Sequence, residues 1–188
     1  MKEVKIGKEV KKRFPGLKVL TDLVVDVEVE KKSDELEKFK DEVYGRVKKK
    51  YTLESLKDES PFRAYRDFFW DIGIDPTKTR PASEALIRRI LQGKNLPTIN
   101  TLVDSYNLAS MQSGIPLAAF DFNSINGDLK LDFATKGKEF LGIGMDKAME
   151  LEGGEIVVSD EKKPVAIYPY RDSEETKITE QTNEVLLM

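Results

Sequence analysis

The composition restricts the functional groups that this sequence can use for catalysis. Its 188 residues include no histidine and no cysteine. Ser-His-Asp and Cys-His relays are therefore excluded, and a zinc site would need oxygen ligands only, which zinc rarely uses. Carboxylates, lysines, backbone N–H groups and groups supplied by a substrate remain. Phosphate-binding glycine loops and a nucleophile elbow are missing, so we do not expect nucleotide-dependent chemistry.

One group of oxygen-bearing side chains has the rough spacing of a calcium loop. It comprises Asp121, Asn123, Asn126 and Asp128, but Ile125 occupies the fifth position and the glycine falls one residue late. A hairpin turn explains these residues better. We therefore expect no metal and no other cofactor.

The stretch 101–122, TLVDSYNLASMQSGIPLAAFDF, carries polar groups that could line a pocket. It begins as an amphipathic helix and breaks at Gly-Ile-Pro into small apolar residues. Backbone groups and Asn107 could bind a ligand against this wall. Alternatively, the small residues allow the helix to approach a sheet, and Asn107 satisfies a buried backbone group. The pocket candidates here are Tyr106, Asn107, Ser110, Pro116 and Ala118.

Charge is distributed unevenly along the chain, although the net charge is only −3. Residues 46–94 hold 12 Lys and Arg against 7 Asp and Glu, whereas residues 121–188 hold 8 against 15. Arg80, Arg88 and Arg89 belong to the basic part and could contact phosphates if they share a face. Otherwise this part forms an ordinary solvated helix surface.

The broad class is a globular protein. Charged residues make up 35% and hydrophobic residues 39%, and no apolar run approaches the roughly 20 residues of a membrane span. The start of the chain lacks the apolar core of a signal peptide. We expect a single domain over residues 1–188, located in the cytoplasm and without a membrane partner.

Apolar spacing predicts a helix-rich first half. Apolar residues recur every three or four positions after Ser33, which is a capping residue type, and Ser60-Pro61 marks another helix start. Helices are expected over residues 34–51, 60–73, 81–93 and 98–112.

Alternating apolar residues predict strands elsewhere. The stretch 17–30, LKVLTDLVVDVEVE, alternates near its end. Further short runs, separated by Asn-Gly and Gly-Gly turns, make the second half strand-rich: DLKLDFA, EIVVSD, PVAIYPY and EVLLM.

The order of several motifs is informative. TRPASEALIRRIL, LPTINTLVDSYNLASMQSGIPLAAFDF, KLDFATKGKEFLGIG and YPYRDSEETKITEQTNEVLLM follow one another. Together they resemble the B3/B4 domain of the phenylalanyl-tRNA synthetase β subunit, and most of all its freestanding forms. The resemblance covers roughly residues 60–188, and residues 1–59 match nothing in the synthetase. It implies an α+β fold, with helices packed on a mainly antiparallel sheet, and a pocket that hydrolyses wrongly charged tRNA.

The resemblance also implies roles for individual residues. Asn107 falls where the editing pocket has an asparagine, and Tyr168, close to Tyr170, falls near the segment that lines the amino-acid side chain. The bacterial synthetase's editing histidine aligns with Ala118, and its pocket glutamate at about Met188, so this sequence lacks both. The best-matched run supplies three residues that contact the terminal nucleotide or organise a loop: Arg171, Thr176 and Lys177.

The expected function is hydrolysis of mischarged aminoacyl-tRNA in trans. Water would attack the ester while backbone N–H groups and Asn107 hold the oxyanion, and a tRNA ribose hydroxyl would assist in place of the histidine. The alternatives are a non-catalytic binder of tRNA or of an amino acid, and an RNA-binding scaffold that uses the basic residues. The expected partner is tRNA and not DNA. The sequence favours no particular oligomeric state.

Overall fold

The computed structural model describes residues 4–188, and the chain divides into two compact units. The helical unit is Val29–Leu117, and the sheet unit joins Met1–Glu28 to Ala118–Met188. The helical unit includes residues on both sides of position 60. The start of the family resemblance, near residue 60, therefore falls inside the helical unit and not at a boundary between the two units.

The four predicted helices are confirmed, and all lie in the helical unit: α2 (Asp34–Lys50), α3 (Ser60–Asp71), α4 (Ala82–Leu91) and α5 (Thr101–Ser113), numbered after a short α1 in the sheet unit. Ser33 caps α2 by accepting a hydrogen bond from the Leu36 N–H. Pro61 occupies the first turn of α3, where its missing N–H costs nothing. No helix within residues 4–188 has both the length and the apolar character needed to cross a bilayer.

The core of the helical unit explains why these helices form. Each helix turns one apolar stripe inward, and burial of these stripes stabilises helices that would be marginal alone. Tyr51 and Phe62 meet edge to face, with ring centroids 5.7 Å apart. The buried cluster consists of Val43, Tyr44, Val47, Tyr51, Leu56, Phe62, Ile87, Ile90, Leu108 and Met111.

Within residues 4–188, the sheet unit contains ten short strands and the helix α1 (Lys8–Arg13), which lies against β4. In chain order the strands are β1 (Val4–Ile6), β2 (Asp22–Val24), β3 (Ala119–Asp121), β4 (Leu129–Phe133), β5 (Glu139–Phe140), β6 (Met149–Glu150), β7 (Ile156–Ser159), β8 (Pro164–Ile167), β9 (Arg171–Asp172) and β10 (Val185–Leu187).

The strands that the structure describes form three sheets, in the orders β1-β4-β7-β8-β9, β2-β10-β3 and β5-β6. Only the β1–β4 pair among these strands is parallel, and the other pairs are antiparallel. Helices together with mainly antiparallel sheets confirm the predicted α+β class.

The prediction of one long strand over residues 17–30 is wrong. Only β2 forms there, paired with β10. Asp26 adopts φ = 55°, which lies in the left-handed region and is incompatible with an extended strand. The alternating valines that follow β2 therefore do not continue the ladder. The helix α1 and the strands β1, β3, β5, β6 and β9 were not predicted.

Candidate functional site

The start of α5 is fixed by side chains of the LPTINTLVDSYN motif. Asn100 caps the helix, since its Oδ1 accepts a hydrogen bond of 2.9 Å from the Val103 N–H. Asp104 lies in the first turn, where a negative charge suits the helix dipole, and its Oδ1 accepts from the Ile99 N–H at 3.2 Å. The motif thus sets the position of the following turn, which carries Asn107.

A buried ion pair anchors this turn to α2. The Lys40 ammonium donates to Asp104 Oδ2 at 2.7 Å, to Glu37 Oε1 at 2.6 Å and to Thr98 Oγ1 at 3.2 Å. The side chains of Lys40 and Asp104 are only 4% and 3% exposed, so water screens the pair little. Burial acts against the charged form, but the hydrogen bonds to Asp104 and Glu37 outweigh it and raise the pKa of Lys40.

Three predicted site residues share one face of α5. Tyr106 and Asn107 lie four and three positions before Ser110, whereas Leu108 and Met111 point into the core of the helical unit. Asn107 is half-buried, and its amide makes no hydrogen bond to another of residues 4–188. It therefore does not satisfy a backbone group of the described chain, and its donors and acceptor are available to a ligand.

The Gly-Ile-Pro break is held by its own hydrogen bonds. Gly114 ends α5 in the left-handed conformation with φ = 76°, and its carbonyl accepts a bond of 2.9 Å from the buried Ser83 hydroxyl. The Ser110 hydroxyl donates to the Ile115 carbonyl at 2.7 Å. Ser110 is buried, so its role is to shape the turn that leads to the half-buried Pro116.

Ala118 and Met188 lie opposite each other in the sheet unit. The Ala118 N–H donates to the Met188 carbonyl at 2.8 Å, and the Met188 N–H donates to the Ala118 carbonyl at 2.9 Å. This exchange continues the β3–β10 register by one residue pair. The positions at which the resemblance predicts the synthetase's histidine and glutamate are thus cross-strand neighbours, and neither Ala118 nor Met188 has a side chain that can transfer a proton.

Tyr168 and Tyr170 lie in the turn between β8 and β9. The peptide bond from Tyr168 to Pro169 is cis, and the Tyr168 N–H donates to the Ile156 carbonyl at 2.8 Å. The Tyr170 side chain packs against a buried cluster of the sheet unit, and burial raises the pKa of its phenol. The cluster consists of Ala134, Phe140, Leu151, Val157 and Ile167. That Tyr168 and Tyr170 line a substrate pocket remains a prediction.

The three residues predicted from the Arg-x-Ser run differ in exposure. Arg171 is exposed in β9, and Lys177 forms an ion pair with Glu174. Thr176 is fully buried, and its Oγ1 has no hydrogen-bond partner in the described chain. Thr176 was predicted either to contact the terminal nucleotide or to organise a loop, and its burial fits the second role.

Asp172 was not among the site residues predicted from the sequence. It lies half-buried in β9, and burial raises the pKa of its carboxyl to about 6 from an ordinary value of 3.8. A carboxyl that titrates near neutrality is a candidate acid or base. No motif marks it, because the shift arises from burial, which the Arg-Asp-Ser sequence does not reveal.

We expect Asp172→Asn to stabilise the protein above about pH 6. Because the pKa of Asp172 is higher in the folded state, its contribution to stability is fully present below about pH 4 and is lost as the pH rises through about 6. One pKa unit corresponds to about 1.4 kcal/mol, and partial exposure reduces the effect, so we expect a gain of about 1–2 kcal/mol near pH 8. Urea denaturation near pH 4 and pH 8 measures it, with the exposed Asp146→Asn as a control. An equal change in stability on Asp172→Asn at both pH values would contradict the raised pKa of Asp172.

A cationic cleft of about 530 Å³ lies along α4 in the helical unit. Ala85, Arg88, Arg89 and Gln92 are spaced i, i+3, i+4 and i+7, so they form one stripe, while Ile87 and Ile90 face the core. The structure therefore brings the three predicted arginines together. The lining residues are Lys78, Arg80, Ala85, Leu86, Arg88, Arg89, Gln92 and Lys94.

One cationic cleft residue, Lys78, was not predicted from the sequence. It lies in the loop before α4, and no periodicity connects such a position to a helix face. The Nε atoms of Arg80 and Arg88 are buried and have no hydrogen-bond partner among residues 4–188. The cleft thus concentrates cationic donors that the described chain leaves unsatisfied.

Comparison with known families supports the motif-based resemblance. The B3/4 domain model matches residues 64–188. The chain belongs to the B3/4 domain family. In this B3/4 protein the matched region includes α4, α5 and the strands from β3 onward, whereas Lys40, which pairs with Asp104 of the family motif, lies outside it.

Curated relatives of the B3/4 protein are much longer chains. It is 29% identical over 115 residues to a phenylalanine–tRNA ligase beta subunit of Chromobacterium violaceum, covering 61% of this chain and 14% of the relative. Identity to the same subunit of Aquifex aeolicus is 30% over 105 residues, covering 56% and 13%. The B3/4 protein thus spans about one seventh of the length of these relatives.

The B3/4 protein is also similar to part of a solved structure. That structure is an N-terminal fragment of the phenylalanyl-tRNA synthetase beta-subunit from Pyrococcus horikoshii. The two chains are 17% identical with a TM-score of 0.40, and the match covers 46% of this chain and 33% of the fragment.

Proposed function

We propose that this B3/4 protein hydrolyses mischarged aminoacyl-tRNA in trans, in the cytoplasm. The observation that carries the proposal is the half-buried Asn107 amide, which has no partner among residues 4–188 and lies on a motif of the matched family region. A side-chain amide without an internal partner can donate a hydrogen bond to a substrate carbonyl. The relatives named phenylalanine–tRNA ligase beta subunit support aminoacyl-tRNA as the substrate class.

The proposed reaction needs no histidine. A water oxygen attacks the ester carbonyl carbon, and the Asn107 amide and backbone N–H groups donate to the oxygen on which negative charge develops. The bond between the carbonyl carbon and the ribose oxygen then breaks. The adjacent ribose hydroxyl relays the proton from water to the leaving oxygen. The products are a free amino acid and tRNA with both terminal hydroxyls restored.

A second candidate function is binding without hydrolysis. The pairing of Ala118 with Met188 favours it, because two neutral side chains occupy the cross-strand positions aligned with the synthetase's histidine and glutamate. Such a protein would hold an aminoacyl-tRNA or a free amino acid and leave the ester intact. Arg80, Arg88 and Arg89 support tRNA as the partner in either case.

A panel of mischarged tRNAs distinguishes the two functions. The purified protein is mixed with each labelled aminoacyl-tRNA, and released amino acid and bound tRNA are measured in the same samples. Turnover of one or a few members above the uncatalysed rate is the expected result. Saturable binding without release from any member would overturn the hydrolytic proposal and favour the binder.

A further inference from the structure

The cleft along α4 concentrates positive charge that the described chain does not neutralise. Eight of the described residues line it, and none of these is acidic. Five are cationic: Lys78, Arg80, Arg88, Arg89 and Lys94. Among residues 4–188 none of these five forms a salt bridge. Two carboxylates near the cleft have other partners. Asp75 accepts hydrogen bonds from Thr77, and its interaction with Lys78 is electrostatic, without a hydrogen bond. Glu84 forms an ion pair with Arg66.

This arrangement is unfavourable unless an anion shares the cleft. Cations gathered in a small volume repel one another, and buried guanidinium donors without partners are costly. The Arg89 Nε donates to the Asn95 carbonyl at 2.8 Å, which fixes the side chain and leaves its terminal nitrogens to an incoming group. Arg88 is held more loosely, with its Nη1 at 3.5 Å from the Leu53 carbonyl.

The lining indicates which kind of anion fits. Pockets for small organic ligands are mostly apolar, with few polar groups, but here only Ala85 and Leu86 are apolar. The lining has no aromatic ring on which a base could stack. Guanidinium forks match phosphate oxygens, and lysine adds a point charge. The stripe from Ala85 to Gln92 rises about 10 Å along the helix, which is long enough for more than one phosphate of a strand.

We propose that the α4 cleft binds two or three consecutive phosphates of an RNA strand and contacts no base. The identity of that RNA as tRNA rests on the proposed function, whereas phosphate binding does not. Such contacts position a nucleic acid without reading its sequence. The cleft would thus hold the body of the substrate and leave the choice of amino acid to other residues.

Binding of uncharged tRNA at increasing KCl concentration tests the proposal independently of hydrolysis. Fluorescence anisotropy with labelled tRNA gives the affinity at each salt concentration. We expect each of Arg80→Gln, Arg88→Gln and Arg89→Gln to reduce the slope of log K against log salt by about 1. The triple variant should bind about 10- to 100-fold more weakly. Arg88→Lys should keep the slope and lose less affinity, because the charge remains.

Arg63→Gln is the matched control. Arg63 is an exposed arginine of the same unit, lies outside the cleft and pairs with Asp58, so its loss should leave the slope unchanged. Circular dichroism checks that each variant is folded. An equal fall in slope for Arg63→Gln, or no change for the cleft variants, would overturn the proposal. Tight binding of tripolyphosphate by a protein with no affinity for tRNA would also overturn it, in favour of a small anionic ligand.

Discussion

We expect Asn107→Ala to lower the turnover of the mischarged aminoacyl-tRNA substrate by about 10²–10³-fold. The side-chain amide of Asn107 has no partner among residues 4–188, so its loss removes a donor to the oxyanion and leaves no internal group unsatisfied. Because this interaction strengthens only as negative charge develops, kcat should fall while the affinity for tRNA stays the same. Single-turnover release of the amino acid at saturating protein measures the effect.

Gln112→Ala is the control for this measurement. Gln112 is an exposed amide on the same helix and accepts a long hydrogen bond of 3.3 Å from Arg46. Its removal should leave turnover unchanged. The comparison then distinguishes loss of the oxyanion donor from a general effect of substitutions in α5. Unchanged turnover in Asn107→Ala would reject Asn107 as the oxyanion donor. A fall in tRNA affinity without a fall in kcat would make it a binding residue.

The second large effect concerns stability. We expect Lys40→Met to lower the free energy of unfolding by about 3–5 kcal/mol, because Asp104 would remain buried without its counterion. The Asp104 side chain is only 3% exposed, so water cannot replace the lost ammonium. Since Asp104 also accepts from the Ile99 N–H, the start of α5 should loosen. Urea denaturation followed by circular dichroism measures the change.

Two further variants make the stability experiment specific to the ion pair. Lys38→Met removes an exposed lysine from the same helix and should change stability by less than about 0.5 kcal/mol. The double variant Lys40→Met with Asp104→Leu should recover much of the loss, because neither charge is then left buried alone. A small effect of Lys40→Met would show that water or another group reaches Asp104.

Local features of the sequence predict much of the helical unit. Apolar spacing locates α2 to α5 within a few residues, because each helix buries one stripe in the same core. The i, i+3, i+4 pattern of Ala85, Arg88 and Arg89 predicts a shared helix face in the same way. Both features depend only on the helix repeat, so a single sequence is sufficient to predict which side chains share a face.

Other features depend on contacts between distant residues, and no local pattern encodes them. Lys40 and Asp104 are 64 positions apart, and their pairing follows from how α2 and α5 pack. The register that places Ala118 opposite Met188 joins two segments separated by most of the sheet unit. The alternating valines after β2 predict a strand, but the left-handed Asp26 interrupts it. Burial of Asp172 is likewise a property of the whole fold.

The strand pairing of the sheet unit limits where the chain can be cut. β10 lies between β2 and β3, and β4 lies between β1 and β7. A fragment that begins at the first residue of the family match, 64, would lack β1 and β2, so β4 and β10 would become unpaired edges of the kind that promote aggregation. It would also lack Lys40. We therefore expect that the family boundary marks where sequence is shared among relatives, and not a piece of this chain that folds by itself.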